Sequence, residues 1–199
     1  LTKNINLSFD GKENNYDYFV GMSKFLTDGI SAMDDNKGES DKYYNDNLTA
    51  NFGYQFSDKV RVENYLRYAD TFLEYDEPTS GRPDNNETDD QEGTYSLKVI
   101  FDNGNFKNNL SYNKTHIKRV TTNYNHTSTD HYWGQRDSLN LLGEYNFDND
   151  TKLVYGLDNE FDRADFTTWA VTGNKMSDES IFSQYFDLQL RPTEKMYST

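Results

Sequence analysis

Turn signals recur along this chain at a nearly constant interval, and the segments between them alternate in polarity. The turns centre on Lys12, Asp58, Gly104, Asn149 and Thr193, with successive separations of 46, 46, 45 and 44 residues. Each interval holds two strand-like stretches joined by a longer polar segment. Tight turns at one end and long loops at the other match the wiring of a transmembrane β-barrel.

The alternation is cleanest from Leu48 to Ser57, where Leu48, Ala50, Phe52, Tyr54 and Phe56 share one parity and Thr49, Asn51, Gly53, Gln55 and Ser57 the other. Successive strand side chains point to opposite faces, so this is an apolar stripe backed by a polar one. After Ser57-Asp58-Lys59 the stripe continues through Val60, Val62, Leu66 and Tyr68, with Arg61, Glu63 and Arg67 opposite. Similar pairs flank Asp102-Asn103-Gly104-Asn105 and Asp148-Asn149-Asp150, and Ile5, Leu7 and Phe9 lead into Asp10-Gly11-Lys12. About nine strands result, each with room for the roughly 9–11 tilted residues that cross a bilayer. Leu48, Phe52, Tyr54, Phe56, Leu97, Val99, Leu139 and Leu141 are expected to face lipid, and Arg61, Glu63, Arg67 and Glu144 the lumen. Phe9, Phe56, Phe101, Phe106, Tyr145 and Phe147 are expected to form the aromatic girdle beside the turns.

Composition otherwise pulls two ways. Only 34% of the residues are hydrophobic and the net charge is -14, which leans toward disorder. Yet 16 Tyr, 13 Phe and 2 Trp are far too many for a disordered chain. A barrel reconciles the two, because its lumen and loops are polar and only one face of each strand meets lipid. No apolar run approaches the roughly 20 residues of a membrane-spanning helix. A soluble sandwich or solenoid also alternates, but nine half-exposed strands would leave a long aromatic surface in water. The acidic balance excludes a phosphate-binding nucleic-acid partner. Cysteine is absent, and no nucleophile elbow, Ser-His-Asp set or phosphate loop is visible, so the chain does not read as an enzyme.

Long polar loops are expected at about 28–46, 76–92, 121–136 and 164–180. The first two carry thirteen acids against three bases, most of the net charge. An oxygen-ligated cation such as Ca²⁺ would relieve their repulsion, and a solvated acidic surface is the alternative. His116, His126 and His131 match no zinc spacing and read as surface residues.

Phe19-Val20-Gly21-Met22-Ser23 running to Thr27-Asp28-Gly29-Ile30-Ser31, then Asn47 to Asp58 ending in Gly53-Tyr54-Gln55-Phe56-Ser57-Asp58, and then Val60 to Tyr68 closing at Glu74-Tyr75-Asp76, carry a resemblance. They resemble TonB-dependent outer-membrane receptors, and in detail the cobalamin (vitamin B12) receptor branch. The resemblance implies an all-β, antiparallel up-and-down meander, residues 1–199 being part of a barrel of roughly 22 strands, with the plug domain and TonB-binding box absent. The chain begins at Leu1 and ends within strand-like sequence, and is read as an internal piece of a longer protein. By the same resemblance the parent protein sits in the outer membrane of a Gram-negative bacterium. It takes up cobalamin or a similar large scarce nutrient through its extracellular loops, and meets TonB through the absent plug. Asp34, Asp35, Asp41, Asp46 and Asp76 match the acids that hold Ca²⁺ in that branch. The alternative is a passive porin-like or structural barrel without energy coupling.

Overall fold

The computed structural model describes residues 1–30, 40–77, 82–123, 129–148, 151–168, 171–193 and 196–198. They form a single antiparallel sheet in which every strand pairs with its sequence neighbour: β1 (Thr2–Glu13), β2 (Tyr16–Thr27), β3 (Tyr43–Ser57), β4 (Val60–Glu77), β5 (Arg82–Asp102), β6 (Phe106–Thr122), β7 (Thr129–Asn146), β8 (Thr151–Thr168), β9 (Val171–Thr193) and a short β10 (Met196–Ser198). The expected meander is therefore present, as nine long strands and one three-residue strand. β1 and β10 do not pair with each other, so the sheet is open.

Direct cross-strand partners share a face, so the register sorts the side chains. One row runs Phe52, Asn64, Leu97, Tyr112, Leu139, Asn159, Phe182, and the next runs Tyr54, Val62, Val99, Leu110, Leu141, Leu157. The opposite face carries Thr49, Arg67, Thr94, Thr115, Arg136, Asp162 and Glu179 in one row. Arg61, Glu63, Arg67 and Glu144 share that polar face, and the apolar set expected from the alternation lies together on the other. The apolar side chains are uncovered within the sheet, Phe52 at 46% and Phe182 at 64% exposure. Among the described residues Ala69 is the one buried hydrophobic, so the sheet has no soluble-type core.

The apolar belt crosses the hydrogen-bonded rows diagonally. In β1 it centres on Leu7, between Ile5 and Phe9. The register carries Leu7 to Asp178 in β9, whereas the apolar stretch there centres on Phe186. That is eight residues of drift over eight strand steps, or about one residue per strand. With roughly 3.3 Å per residue and 4.8 Å between strands, a belt held level by a membrane tilts the strands by about 35°. This lies in the range of membrane barrels.

Two aromatic bands border the belt. At the turn end, ring centroids step from Phe101 to Phe106 (6.0 Å), to Tyr145 (6.1 Å) and to Phe147 (4.7 Å), and Tyr54 meets Phe56 at 4.6 Å. At the loop end Tyr44 stacks on Phe72 at 5.1 Å. Tyr44 and Tyr54 are ten residues apart on β3, which at that tilt is about 27 Å of height, close to the apolar band of outer-membrane barrels.

Three expectations are corrected. The first turn is not at Asp10-Gly11-Lys12: Gly11 and Lys12 pair with Tyr18 and Asp17, and the reversal falls at Asn14-Asn15, with Asn14 at φ 43°. A two-residue hairpin turn needs positive φ, which Asn tolerates. Phe9 consequently lies in the middle of the belt rather than in the girdle. The second acidic loop is also much shorter, because strands run on through its acids: β4 continues to Glu77 and β5 begins at Arg82, whereas the first keeps nearly its expected bounds, β2 ending at Thr27 and β3 beginning at Tyr43. Residues 121–136 and 164–180 are likewise mostly strand. The turn signal at Asn149 lies outside the described residues, and Thr193, the expected centre of the last turn, is instead the last residue of β9.

Leu97 and Leu141 sit at mid-belt. Leu97→Lys and Leu141→Lys are each expected to cost about 2–4 kcal/mol of barrel stability. Ser183→Lys, on the polar face beside Asp158, should change it by less than about 1 kcal/mol. Urea titration of the folded barrel in lipid vesicles checks the difference.

Candidate functional site: the polar wall

The polar face carries groups of hydrogen bonds and ion pairs from the turn end to the loop end. Near the turns, Arg61 donates to both carboxylate oxygens of Asp17 (3.0 and 2.8 Å) and to Glu63 (2.9 Å), and Lys98 stands 3.7 Å from Glu63. Asp17 is two strands away from Arg61. The guanidinium reaches it by passing over Gly53, where any Cβ would lie 2.1 Å from Nη2. Glycine is required there by the close approach of another side chain, not by its own backbone angle.

In the middle of the wall the ions give way to amides and hydroxyls. Ser96 donates to Asn113 at 2.7 Å, Asn113 donates to Ser138 and Asn140, and Asn140 donates to Asp158. This ladder ties β5 to β8. Toward the loops ion pairs resume: Arg119 with Asp90, and Arg136 with Asp162 (2.6 Å) and Glu160 (3.1 Å). Between them lies a hollow on the same face, floored by Gly134 and Ala164 and walled by Tyr132, Arg136, Asp162 and Glu179. Such a surface offers donors and acceptors at fixed positions to a polar molecule moving along it. The row of Ile100 and Leu142 next to the turns interrupts it with apolar side chains.

Of the two arginines flanking Glu63 on β4, Arg61 pairs with it, whereas Arg67 faces Glu92 at 4.0 Å. Most of these side chains are partly exposed, so each bridge contributes about 0–1 kcal/mol and the set acts chiefly on geometry. The two glycines Gly53 and Gly134 were not legible as site residues. Their signal is a short gap in a polar stripe beside a long or aromatic side chain.

The acids matched to Ca²⁺ separate. Asp34 and Asp35 lie outside the described residues. Asp46 is inside β3 on the apolar face, bridged to Lys24 at 2.7 Å. Its partner on β4 is Asp70, six residues or about 20 Å from Asp76 along the strand. Asp76 is near the end of β4 and 8% exposed. Glu74 donates its backbone N–H to the carbonyl of Lys42 (2.8 Å), which places Asp41 at the same end as Asp76. The Glu74 carboxylate, 7% exposed, accepts from the Lys42 backbone N–H (2.9 Å) and Nζ (3.2 Å). Among the described residues no three His, Asp or Glu side chains converge as a metal site. His126 lies outside the described residues.

No protein-family model matches the chain, and no curated protein sequence does. Solved structures do match. Over 96% of the chain it is similar to the outer membrane transporter YddB from Escherichia coli, with TM-score 0.70, 12% identity and 32% of that chain covered. It is similar to the alcaligin outer membrane receptor FauA from Bordetella pertussis, with TM-score 0.64, 9% identity, 97% of this chain and 33% of that one. The ferric preacinetobactin receptor BauA from Acinetobacter baumannii matches at TM-score 0.62 and 15% identity, over 98% of this chain and 38% of that one. The chain thus spans about a third of the length of the structures it matches. At these identities the likeness is one of fold: the sheet is part of a barrel wall of the outer-membrane type. The matching proteins are receptors and transporters rather than enzymes.

Gly53→Ala is expected to push Arg61 off Asp17 and lower stability by about 1 kcal/mol. In an Arg61→Ala background the same change should be nearly neutral. A double-mutant cycle on thermal unfolding checks the coupling, and equal effects in both backgrounds would show that the glycine serves another purpose.

Proposed function

We propose that this segment is part of the barrel wall of a TonB-dependent nutrient receptor in the bacterial outer membrane. The observation that carries the reading is the tilted apolar belt backed by a hydrogen-bonded polar wall, in a sheet matching large outer-membrane receptors. The polar wall and the loop-end surface contact the nutrient. Transport is binding followed by rearrangement of a plug outside residues 1–199, with TonB supplying energy through that plug and no covalent chemistry in the wall.

The substrate class is a large scarce nutrient, and cobalamin is the member to which the sequence resemblance points. Proteins of similar fold are named for alcaligin and for ferric preacinetobactin, so metal-chelate nutrients are the competing members of that class. A Ca²⁺ ion held by loop acids is part of the same reading. Asp34, Asp35, Asp41 and Asp76 remain its ligand set, supported by Asp41 and Asp76 lying at one end of the sheet. Asp46 leaves the set, since Lys24 neutralises it. A cation there would draw the segment around Asp41 toward β4 and lessen the ordering needed when substrate arrives.

Three measurements test this. The protein should fractionate with outer membranes. Uptake of cyanocobalamin by cells expressing the intact gene should stop when the TonB gene is deleted, and unchanged uptake would favour a passive porin-like barrel. In calorimetry, Asp41→Asn with Asp76→Asn should weaken cyanocobalamin binding about tenfold in calcium, and Asp46→Asn should not. Equal affinity in calcium and in chelator would remove the cation.

A further inference from the structure

The polar face is not evenly charged. Along β1, β2 and β3 three successive rows, Asn4–Phe25–Asn45, Asn6–Ser23–Asn47 and Ser8–Gly21–Thr49, hold amides, hydroxyls and one ring, and no ionisable group. Charge resumes at the borders, where Asp10 stands beside Phe19, Arg67 beside Thr49 and Asp90 beside Thr71. The last two have partners outside the sector, Arg67 with Glu92 and Asp90 with Arg119. In a chain with 27% charged residues, the sector is set apart by what it leaves out.

Within it a hollow of about 330 Å³ is lined by Asn6, Ser8, Phe19, Ser23, Asn47 and Thr49. This is the lower end of the roughly 300–1,000 Å³ of small-ligand sites. Gly21 opens the hollow: a Cβ there would lie 3.0 Å from the Phe19 ring, which leans over the glycine. The amides hold one another in place. Asn47 donates to Ser23 (3.3 Å) and to Asn45, Asn45 donates to Thr71 (2.6 Å), and Asn6 donates to Asn4 (3.0 Å). Ser8, Thr49 and Asn51 make no side-chain hydrogen bond with the described residues, so their donors and acceptors are offered to what lies in the lumen. Rings flank the hollow on the same face. Tyr65 follows Phe19 and Asn51 in one row, and Phe25, with Tyr43 at 5.9 Å, stands six residues from Phe19 along β2, or about 20 Å.

A hydroxyl is donor and acceptor at once, and so are a carboxamide and a serine or threonine side chain. A charged ligand pressed against this sector would lose water and meet no counter-charge. An uncharged ligand rich in hydroxyls finds a partner for each, and its C–H faces pack on the rings. We propose that the β1 to β3 sector of the polar wall is a binding site for neutral saccharides. Rings about 20 Å apart suit a chain of several sugar units rather than one. The inference rests on the reading of this face as a barrel lumen, and is independent of TonB and of cobalamin.

The test uses the intact protein in an amine-oxide detergent, which carries no sugar. It is titrated calorimetrically with maltohexaose and, in the presence of chelator, with the acidic hexamer of galacturonate. Wild type should bind maltohexaose at least about tenfold more tightly than the acidic hexamer. Phe19→Ala with Asn47→Ala should weaken maltohexaose binding by about tenfold or more. Phe182→Ala with Gln184→Ala, a matching pair on the lipid face of β9, should leave it unchanged. Heat-modifiable gel migration confirms assembly, and if the first pair does not assemble, Ser23→Ala with Thr49→Val takes its place. The inference is overturned by equal affinity for the two hexamers, by undiminished binding in the sector variant, or by equal loss in the lipid-face variant. Failure to bind maltohexaose, in a protein that still takes up cyanocobalamin with TonB, sinks this inference alone. Fractionation with a membrane other than the outer one would instead sink the lumen reading beneath it.

Discussion

A strand crossing hydrocarbon must satisfy every backbone N–H and C=O through its neighbours, because lipid offers no partner. Pairing on both sides meets that demand from β2 to β8, and the two-sidedness of the sheet follows. Once each strand is paired along its length, its side chains have only two directions. One direction is lipid, so the sequence there is apolar between two aromatic bands. The other tolerates charge, so it fills with Arg61, Glu63, Lys98 and the Asn113–Asn140 ladder. The tilt is the geometric consequence of combining a level belt with a sheared register.

This explains which parts of the fold were legible in the residues alone. Within the belt the two faces differ in environment, so Leu48 to Phe56 and Tyr95 to Phe101 alternate and announce themselves. Beyond the belt both faces meet water, and alternation vanishes although the strand continues. Thr88 to Glu92 is β5, its backbone paired to β4 and β6, with Asp90 facing Arg119. The acids suggested a loop because a polarity pattern detects the membrane, not the strand. The turn at Asn14-Asn15 was missed for a related reason: Asp10-Gly11 is the stronger composition signal, and the hairpin is placed by what Tyr16 and Tyr18 must face.

The site was less legible than the fold because its parts lie far apart in sequence. Asp17 and Arg61 are 44 residues apart, and Tyr155 reaches Asn108 across 47. Neither pair is visible until the register is known. The acids matched by resemblance show the converse. Asp41, Asp46 and Asp76 read as one set in sequence, yet strand pairing removes Asp46 to the apolar face beside Lys24 and leaves Asp41 and Asp76 at the sheet's end.

What then selects one register among several? A slip of one residue would turn Leu97 to the lumen and Lys98 to lipid, and the polarity pattern forbids it. A slip of two preserves the faces, so the pattern is blind to it. Close cross-strand pairs are not blind. Gly11 pairs with Tyr18, Gly93 with His116, Gly143 with Tyr155 and Gly156 with Tyr185. In each the ring fills the space of the missing side chain, with atoms between 2.0 and 2.8 Å of where a Cβ would stand. Moved by two, Tyr155 would oppose Leu141 or Tyr145 instead of Gly143, and a full side chain would occupy its place. It would also lose its 2.6 Å hydrogen bond to Asn108, two strands away. Aromatic side chains over strand glycines therefore supply the information that polarity lacks. These glycines, like Gly53 under Arg61, are kept empty for a neighbour's use.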